Sequence, residues 1–139
     1  MKIDPFKISF PKQEILEIKE KVEIFPWHEM PKEGGWSFGT NIDYMKNLAD
    51  YWTKKYDWDS QELKLNQQPN YKTKVDDIDI HFIFKKSSSP KAIPLILIHG
   101  WPGSIVEFLE IIEPLCEPEK FGIKDEICFD IIALSLIHI

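Results

Sequence analysis

The sequence predicts a mixed α/β fold in which a helical N-terminal segment leads into the first strands of a sheet. Three observations predict it. Helical periodicity prevails over residues 1–69, two dense apolar runs occur within 70–139, and a turn rich in glycine and proline joins the first run to another helix. A chain of 139 residues is long enough for one domain with a hydrophobic core.

Three helices are predicted in the N-terminal segment. The first runs from Lys12 to Val22, with its aliphatic residues spaced to share one face. The second begins after Thr40, a candidate N-cap, and carries an apolar stripe as far as Tyr56. The third is short and runs from Asp59 to about Asn66, just before a proline.

A β-hairpin is predicted next. Its strands are Tyr71–Val75 and Ile78–Lys85, and Asp76-Asp77 lies between them as a two-residue turn. The second strand alternates apolar with mostly polar residues, which predicts one buried face. The stretch that follows, 85–91, is rich in lysine and serine and is typical of a solvated loop.

Two further strands are apolar on both faces. They are Ile93–Ile98 and a run from Cys128 to about Leu136, and a helix from Ser104 to about Glu113 lies between them. Such runs are typical of parallel strands covered by helices on both sides. A hairpin followed by strand, helix and strand is the opening of an α/β sheet.

Composition excludes several classes of protein. The net charge is −6, and all 17 basic residues are lysines without a cluster, so a nucleic-acid partner is not expected. The two cysteines, Cys116 and Cys128, form neither a disulfide framework nor a zinc motif. No apolar run reaches the roughly 18–20 residues that span a bilayer. We therefore expect a cytoplasmic protein, or one held to a membrane only through another component, without an integral membrane segment of its own.

One stretch of the sequence contains the candidate functional residues. It joins the apolar strand to the next helix and reads His99-Gly100-Trp101-Pro102-Gly103-Ser104. Ligands of open α/β sheets bind at the carboxyl ends of strands, so this turn lies on the functional edge. Gly100 is expected to permit a sharp turn, and Pro102 to hold Trp101 extended with its amide free for a developing oxyanion.

The same residues also allow a structural interpretation. A glycine–proline turn with a serine cap occurs in many α/β crossovers, and the residue types alone do not decide between this and an oxyanion site. His99 is interpreted as a hydrogen-bonded structural residue and not as a base. Ser104, with Glu107 three residues on, is interpreted as a capping box and not as a nucleophile, because G-x-S-x-G is absent.

The sequence resembles the N-terminal part of microsomal-type epoxide hydrolases, the group that includes juvenile hormone epoxide hydrolases. The resemblance extends over about residues 3–136 and is carried by several tryptophan-containing motifs and by the turn. These markers are Gly35-Trp36-Ser37-Phe38-Gly39, Asp50-Tyr51-Trp52, Tyr56-Asp57-Trp58, Leu65-Asn66-Gln67-Gln68-Pro69, Ile80-His81-Phe82, Pro94 to Ser104 and Glu107-Phe108.

The resemblance implies an α/β-hydrolase fold, with 1–69 as the N-terminal helical segment and 70–139 as a partial hydrolase core. It implies hydrolysis of a small hydrophobic epoxide to a diol through an aspartyl ester, without a metal or organic cofactor. An aspartate opens the epoxide, lid tyrosines protonate its oxygen, and a histidine paired with an acid activates water. The amide of Trp101 then corresponds to one oxyanion donor of the second step.

The end of the sequence departs from the family. The family continues into P-S-L-P-G-Y-G, whereas this chain has Leu134 before the serine and Ile137-His138-Ile139 after Leu136. None of Asp125, Asp130 or His138 lies in a catalytic motif of the family. The leading hypothesis is an N-terminal fragment without turnover, prone to self-association through exposed strand edges. The alternative is a noncatalytic binding or interaction module.

Overall fold

The computed structural model describes residues 2–29, 31, 35–124 and 127–136, and these form two compact units. One unit is Ser9–Glu62 and is helical. The other contains the residues before Ser9 and those from Leu63 onward, and holds the sheet. The division at residue 69, which rests on the resemblance, stays a prediction. In the described part of the chain, no helix is both long enough and apolar enough to cross a bilayer.

The three predicted helices are present. They are α1 (Lys12–Glu23), α2 (Ile42–Lys54) and α3 (Trp58–Asn66). The helix α1 packs against α2, and Ile15 and Val22 are half-buried on the predicted face. The helices α1 and α2 therefore form because each has an apolar stripe to bury.

The cap predicted for α2 is wrong by one residue. Asn41, not Thr40, is the N-cap, and its Oδ1 accepts the Tyr44 main-chain N–H at 3.0 Å. The third helix likewise begins one residue earlier than predicted, because Asp57 Oδ1 accepts the N–H of Ser60 at 3.1 Å. In both cases a short acceptor side chain satisfies a donor of the first helical turn.

The sheet has five strands in the order β1-β2-β3-β5-β4. Their bounds are β1 Ile3–Pro5, β2 Asn70–Val75, β3 Ile78–Lys85, β4 Ile93–Ile98 and β5 Phe129–Leu134. All neighbours are antiparallel except β4 and β5, which are parallel as predicted. The short β1 has no periodic signal of its own, and it forms because β2 offers a partner.

The hairpin between β2 and β3 is confirmed. Val75 pairs with Ile78, so the turn contains two residues, Asp76 and Asp77. Their φ angles are +47° and +66°. Two consecutive left-handed residues are the requirement of a type I′ turn, whose twist matches that of the strands.

A helical crossover connects β4 to β5 and covers one face of the sheet. It consists of a 3₁₀ turn, Ile105–Phe108, followed by α4, Leu109–Cys116. The buried residues of this core come from the crossover, β3 and β5: Ile83, Ile105, Ile112, Cys116, Ile131 and Ala133.

Coverage of both faces of β4 is a prediction that the described residues contradict. The strand lies at the edge of the sheet, and Ile96 and Ile98 are 60% and 62% exposed. The apolar run thus marks a strand that has neighbours only on one side within the described chain.

Candidate functional site

The predicted turn lies at the carboxyl ends of the parallel pair. Residues 99–104 follow β4 directly, and Leu136 lies two residues after β5. Because parallel strands end at the same sheet edge, the turn and the segment after β5 are neighbours there. The elements that position the turn are therefore β4 before it and the 3₁₀ turn after it.

Gly103, not Gly100, is the residue that has no room for a side chain. The Gly103 N–H donates to the Gly100 carbonyl at 2.7 Å and closes the turn. A Cβ on Gly103 would collide with the Glu107 carboxylate and lie 2.8 Å from the Gly100 oxygen. A Cβ on Gly100 would meet nothing within 4 Å. The role expected for Gly100 in the tight turn is thus wrong.

The capping box predicted at Ser104 is confirmed. Ser104 Oγ accepts the N–H of Val106 at 3.3 Å, and the Ser104 N–H donates to Glu107 Oε1 at 3.1 Å. The hydroxyl and the nearest acid of the turn are therefore both used for local structure. The helix that they start is first 3₁₀ and becomes α-helical at Leu109.

Trp101 presents a main-chain donor at this edge. Among the residues that the structure describes, none accepts a hydrogen bond from its N–H. The residue is 96% exposed, and its peptide bond to Pro102 is cis. A free amide beside a closed turn is the arrangement that an oxyanion donor needs.

His99 is buried and makes contacts through both ring nitrogens. Its Nε2 lies 3.2 Å from the main-chain N of Leu136, and its Nδ1 lies 3.3 Å from the carbonyl oxygen of Gly100. Nε2 accepts from an N–H, so the neutral ring carries its proton on Nδ1 and donates it to Gly100. This matches the structural interpretation of His99.

Other polar groups near β5 have structural contacts. Asp130 lies near the amino end of β5, away from the turn, and accepts the N–H of Ser87 at 2.8 Å. Asp125 and His138 lie outside the described residues. Ser135 is 1% exposed, and its hydroxyl has no hydrogen-bond partner among the described residues. Sequence periodicity gives no signal for this buried hydroxyl, since the run reads simply as apolar.

Among the described residues, Cys116 is a poor nucleophile and no metal-binding cluster is found. Burial raises the pKa of the Cys116 thiol to about 11, so the thiolate nucleophile is scarce at neutral pH. Among the described residues, no group of three histidine, cysteine, aspartate or glutamate side chains is arranged to hold a metal ion.

Comparison with known proteins decides the family. A family model described as "Epoxide hydrolase N terminus" matches residues 3–108, which include the whole turn. The chain belongs to this family. The epoxide hydrolase resemblance drawn from the tryptophan motifs and the turn is thereby confirmed.

Two relatives match most of the chain. The chain is 36% identical over 138 residues to Epoxide hydrolase 1 of Sus scrofa, and the match covers 96% of this chain and 30% of the relative. It is 38% identical over 120 residues to Juvenile hormone epoxide hydrolase 1 of Ctenocephalides felis, and the match covers 84% of this chain and 26% of the relative. The chain thus spans 26–30% of the length of these relatives.

A solved structure supports the fold. The crystal structure of juvenile hormone epoxide hydrolase from the silkworm Bombyx mori matches with a TM-score of 0.82 and 34% identity. The match covers 97% of this chain and 36% of the silkworm chain. The fold predicted from the sequence, the first part of an α/β-hydrolase, is confirmed.

Proposed function

We propose that the epoxide hydrolase segment supplies one oxyanion donor, the main-chain N–H of Trp101, to the hydrolysis of small hydrophobic epoxides. The observation that carries the proposal is the free Trp101 amide at the carboxyl edge of the sheet, within the matched residues 3–108. The relatives named above are all described as epoxide hydrolases, which favours this function over a noncatalytic module.

The amide acts in the second half of the reaction that the family resemblance implies. A carboxylate first attacks an epoxide carbon, the carbon–oxygen bond breaks, and an acid protonates the alkoxide to leave a hydroxy ester. Water, having given a proton to a base, then attacks the ester carbonyl. The negative charge that develops on the ester oxygen is stabilised by main-chain donors. Collapse of this intermediate restores the carboxylate and releases the diol.

The 139 residues by themselves are proposed to be inactive. An oxyanion donor lowers a barrier only when a nucleophile generates the charge that it stabilises. Among the described residues, the acids near the turn and near β5 are engaged by main-chain N–H groups, as Glu107 is by Ser104 and Asp130 by Ser87. The attacking carboxylate therefore has to come from other parts of an epoxide hydrolase.

Two further properties are proposed with this function. We propose self-association of the isolated segment through β4, because this edge strand exposes Ile96 and Ile98 to solvent. We also propose a cytoplasmic location, which is consistent with the two free cysteines, Cys116 and Cys128.

The test uses a full-length hydrolase made by joining residues 2–136 of this chain to the part of the Sus scrofa relative that follows the matched region. Trp101→Pro removes the N–H, and Trp101→Phe retains it. With styrene oxide as substrate, Trp101→Pro is expected to slow ester hydrolysis about 100-fold or more. Trp101→Phe is expected to slow it far less. Equal hydrolysis rates for the two variants would contradict the proposed function.

A further inference from the structure

We infer that His99 is a positioning residue, whose ring holds the Gly100 carbonyl so that the Trp101 N–H points in one fixed direction. The inference rests on the proposed function, since the direction of this N–H matters only if it serves as a donor. Its basis is a chain of three contacts at the carboxyl edge of the sheet.

The first contact anchors the ring. His99 is buried, and Nε2 accepts the Leu136 N–H across 3.2 Å. Leu136 follows β5, whereas His99 follows β4, so the bond links the ends of two parallel strands. The ring therefore has a fixed orientation. Its proton is on Nδ1, which is the nitrogen that faces the Gly100 carbonyl.

The second and third contacts fix the carbonyl. Nδ1 lies 3.3 Å from the Gly100 oxygen, which also accepts the Gly103 N–H at 2.7 Å. The oxygen is thus held by two donors, one from each end of the turn. Of these, only the His99 contact is tied to the neighbouring strand.

Peptide planarity transmits this constraint to Trp101. The Gly100 carbonyl and the Trp101 N–H belong to the same planar trans peptide, so they point in opposite directions. Holding the oxygen toward His99 and Gly103 directs the N–H away from both. A displacement of about 1 Å at a reacting centre can lower the rate roughly 100-fold, so the direction of the Trp101 N–H is expected to affect the rate of ester hydrolysis.

His99 is not a base in this arrangement. The Nε2 lone pair is used by the Leu136 N–H, and the Nδ1 proton is used by Gly100. A proton taken from water would have to displace the Leu136 contact. Acting through the neighbouring peptide is therefore the role that the two contacts allow.

Three substitutions separate the two contacts in the joined full-length hydrolase. His99→Phe keeps a ring and loses both contacts. His99→Asn places an amide donor near the position of Nδ1, and His99→Gln places an amide acceptor near the position of Nε2. Ester formation from styrene oxide is followed by intact-protein mass, and ester hydrolysis by its decay in a single turnover.

His99→Phe is expected to slow ester hydrolysis about tenfold or more while ester formation changes less than about twofold, so that the ester accumulates. His99→Asn is expected to restore most of the hydrolysis rate, and His99→Gln is not. Slowing of both steps to the same extent, or rescue by His99→Gln alone, would overturn the inference. If His99→Phe does not fold, the comparison between His99→Asn and His99→Gln gives the same decision.

A failure of the proposed function and a failure of the inference about His99 give different results. If Trp101→Pro hydrolyses the ester as fast as the unsubstituted protein, the proposed function fails. If Trp101→Pro hydrolyses the ester slowly and His99→Phe hydrolyses it at the normal rate, only the role of His99 fails. The ring nitrogen chemical shifts of His99 give an answer that does not depend on activity. The proton is expected on Nδ1, and a proton on Nε2 alone would overturn the inference.

Discussion

The main-chain N–H of Leu136 donates to Nε2 of His99 across 3.2 Å, and this bond continues the pairing of β5 with β4 beyond the last ladder pair, Leu134 with Ile98. A side chain thus takes the place of a backbone acceptor where the strands end. The contact holds the carboxyl edge of the sheet together at the point where the turn of residues 99–104 begins.

The two glycines of the turn, Gly100 and Gly103, are expected to differ in how well they tolerate a side chain. Gly103→Ala would bring a Cβ against the Glu107 carboxylate and to 2.8 Å from the Gly100 carbonyl, so the capping box and the turn must both shift. We expect a loss of about 1–3 kcal/mol in the free energy of unfolding by urea. Gly100→Ala, whose Cβ meets nothing within 4 Å, is the control and is expected to cost less than about 1 kcal/mol. Equal losses would contradict the packing described here.

The hairpin turn is open to improvement. Asp76 and Asp77 both have positive φ, a conformation that asparagine and glycine adopt more readily. Asp76→Asn combined with Asp77→Gly is therefore expected to raise the free energy of unfolding by about 1 kcal/mol. Asp79→Asn, which removes a carboxylate from the adjacent strand, is expected to change it by less than about 0.5 kcal/mol. A stabilisation of the same size from Asp79→Asn would mean that charge, and not backbone conformation, is responsible.

Glu113 makes stability depend on pH. Its carboxylate accepts from the Lys85 ammonium at 2.7 Å and from Lys120 at 3.2 Å, and these bonds lower its pKa from the ordinary 4.5. An acid with a lowered pKa stabilises the fold above the ordinary value, and the stabilisation is lost as the pH falls through the lowered value.

Glu113→Gln is thus expected to destabilise at pH 7 by at most about 1 kcal/mol, because the pair is partly exposed. The difference between the variant and the unsubstituted chain should disappear in urea titrations well below pH 4.5. Glu119→Gln is the control, because Glu119 is exposed and lies in the 3₁₀ turn Pro118–Phe121 that follows α4. A difference that persists in acid would assign the effect to packing.

The exposed edge strand β4 is expected to cause self-association of the 139-residue chain. Ile96→Lys places a charge on the exposed strand β4 and is expected to shift the 139-residue chain toward the monomer in light scattering. Ile24→Lys is the matched control, since Ile24 is 72% exposed but lies at the end of α1 in the helical unit. Equal effects would show that general hydrophobicity, and not the strand edge, drives association.

Much of the fold follows from local patterns in the sequence. The strands of the hairpin and the parallel pair were identifiable because β-branched and aromatic residues are bounded by turn residues. The helices α1 and α2 carry apolar stripes, and the Ser104–Glu107 capping box is a local signal that the structure confirms. Such features depend on residues only a few positions apart.

What the sequence did not reveal depends either on distant partners or on the detailed geometry of the folded turn. The short strand β1 forms by pairing with β2, some seventy residues away, and its own residues carry no period. The crowding at Gly103 comes from the Glu107 carboxylate in the folded turn, and the residue types alone do not distinguish Gly103 from Gly100. The link from His99 to Leu136 joins the ends of two strands, and no spacing in the sequence indicates it.

The most direct measurement is product formation from styrene oxide by the purified 139-residue chain. The diol is traced by chromatography and a covalent ester by intact-protein mass, with the joined full-length hydrolase as positive control. We expect neither diol above a buffer blank nor any mass increase, because among the described residues the acids near the turn and near β5, Glu107 and Asp130, are engaged by main-chain N–H groups. Diol that forms in proportion to this polypeptide alone would contradict that view.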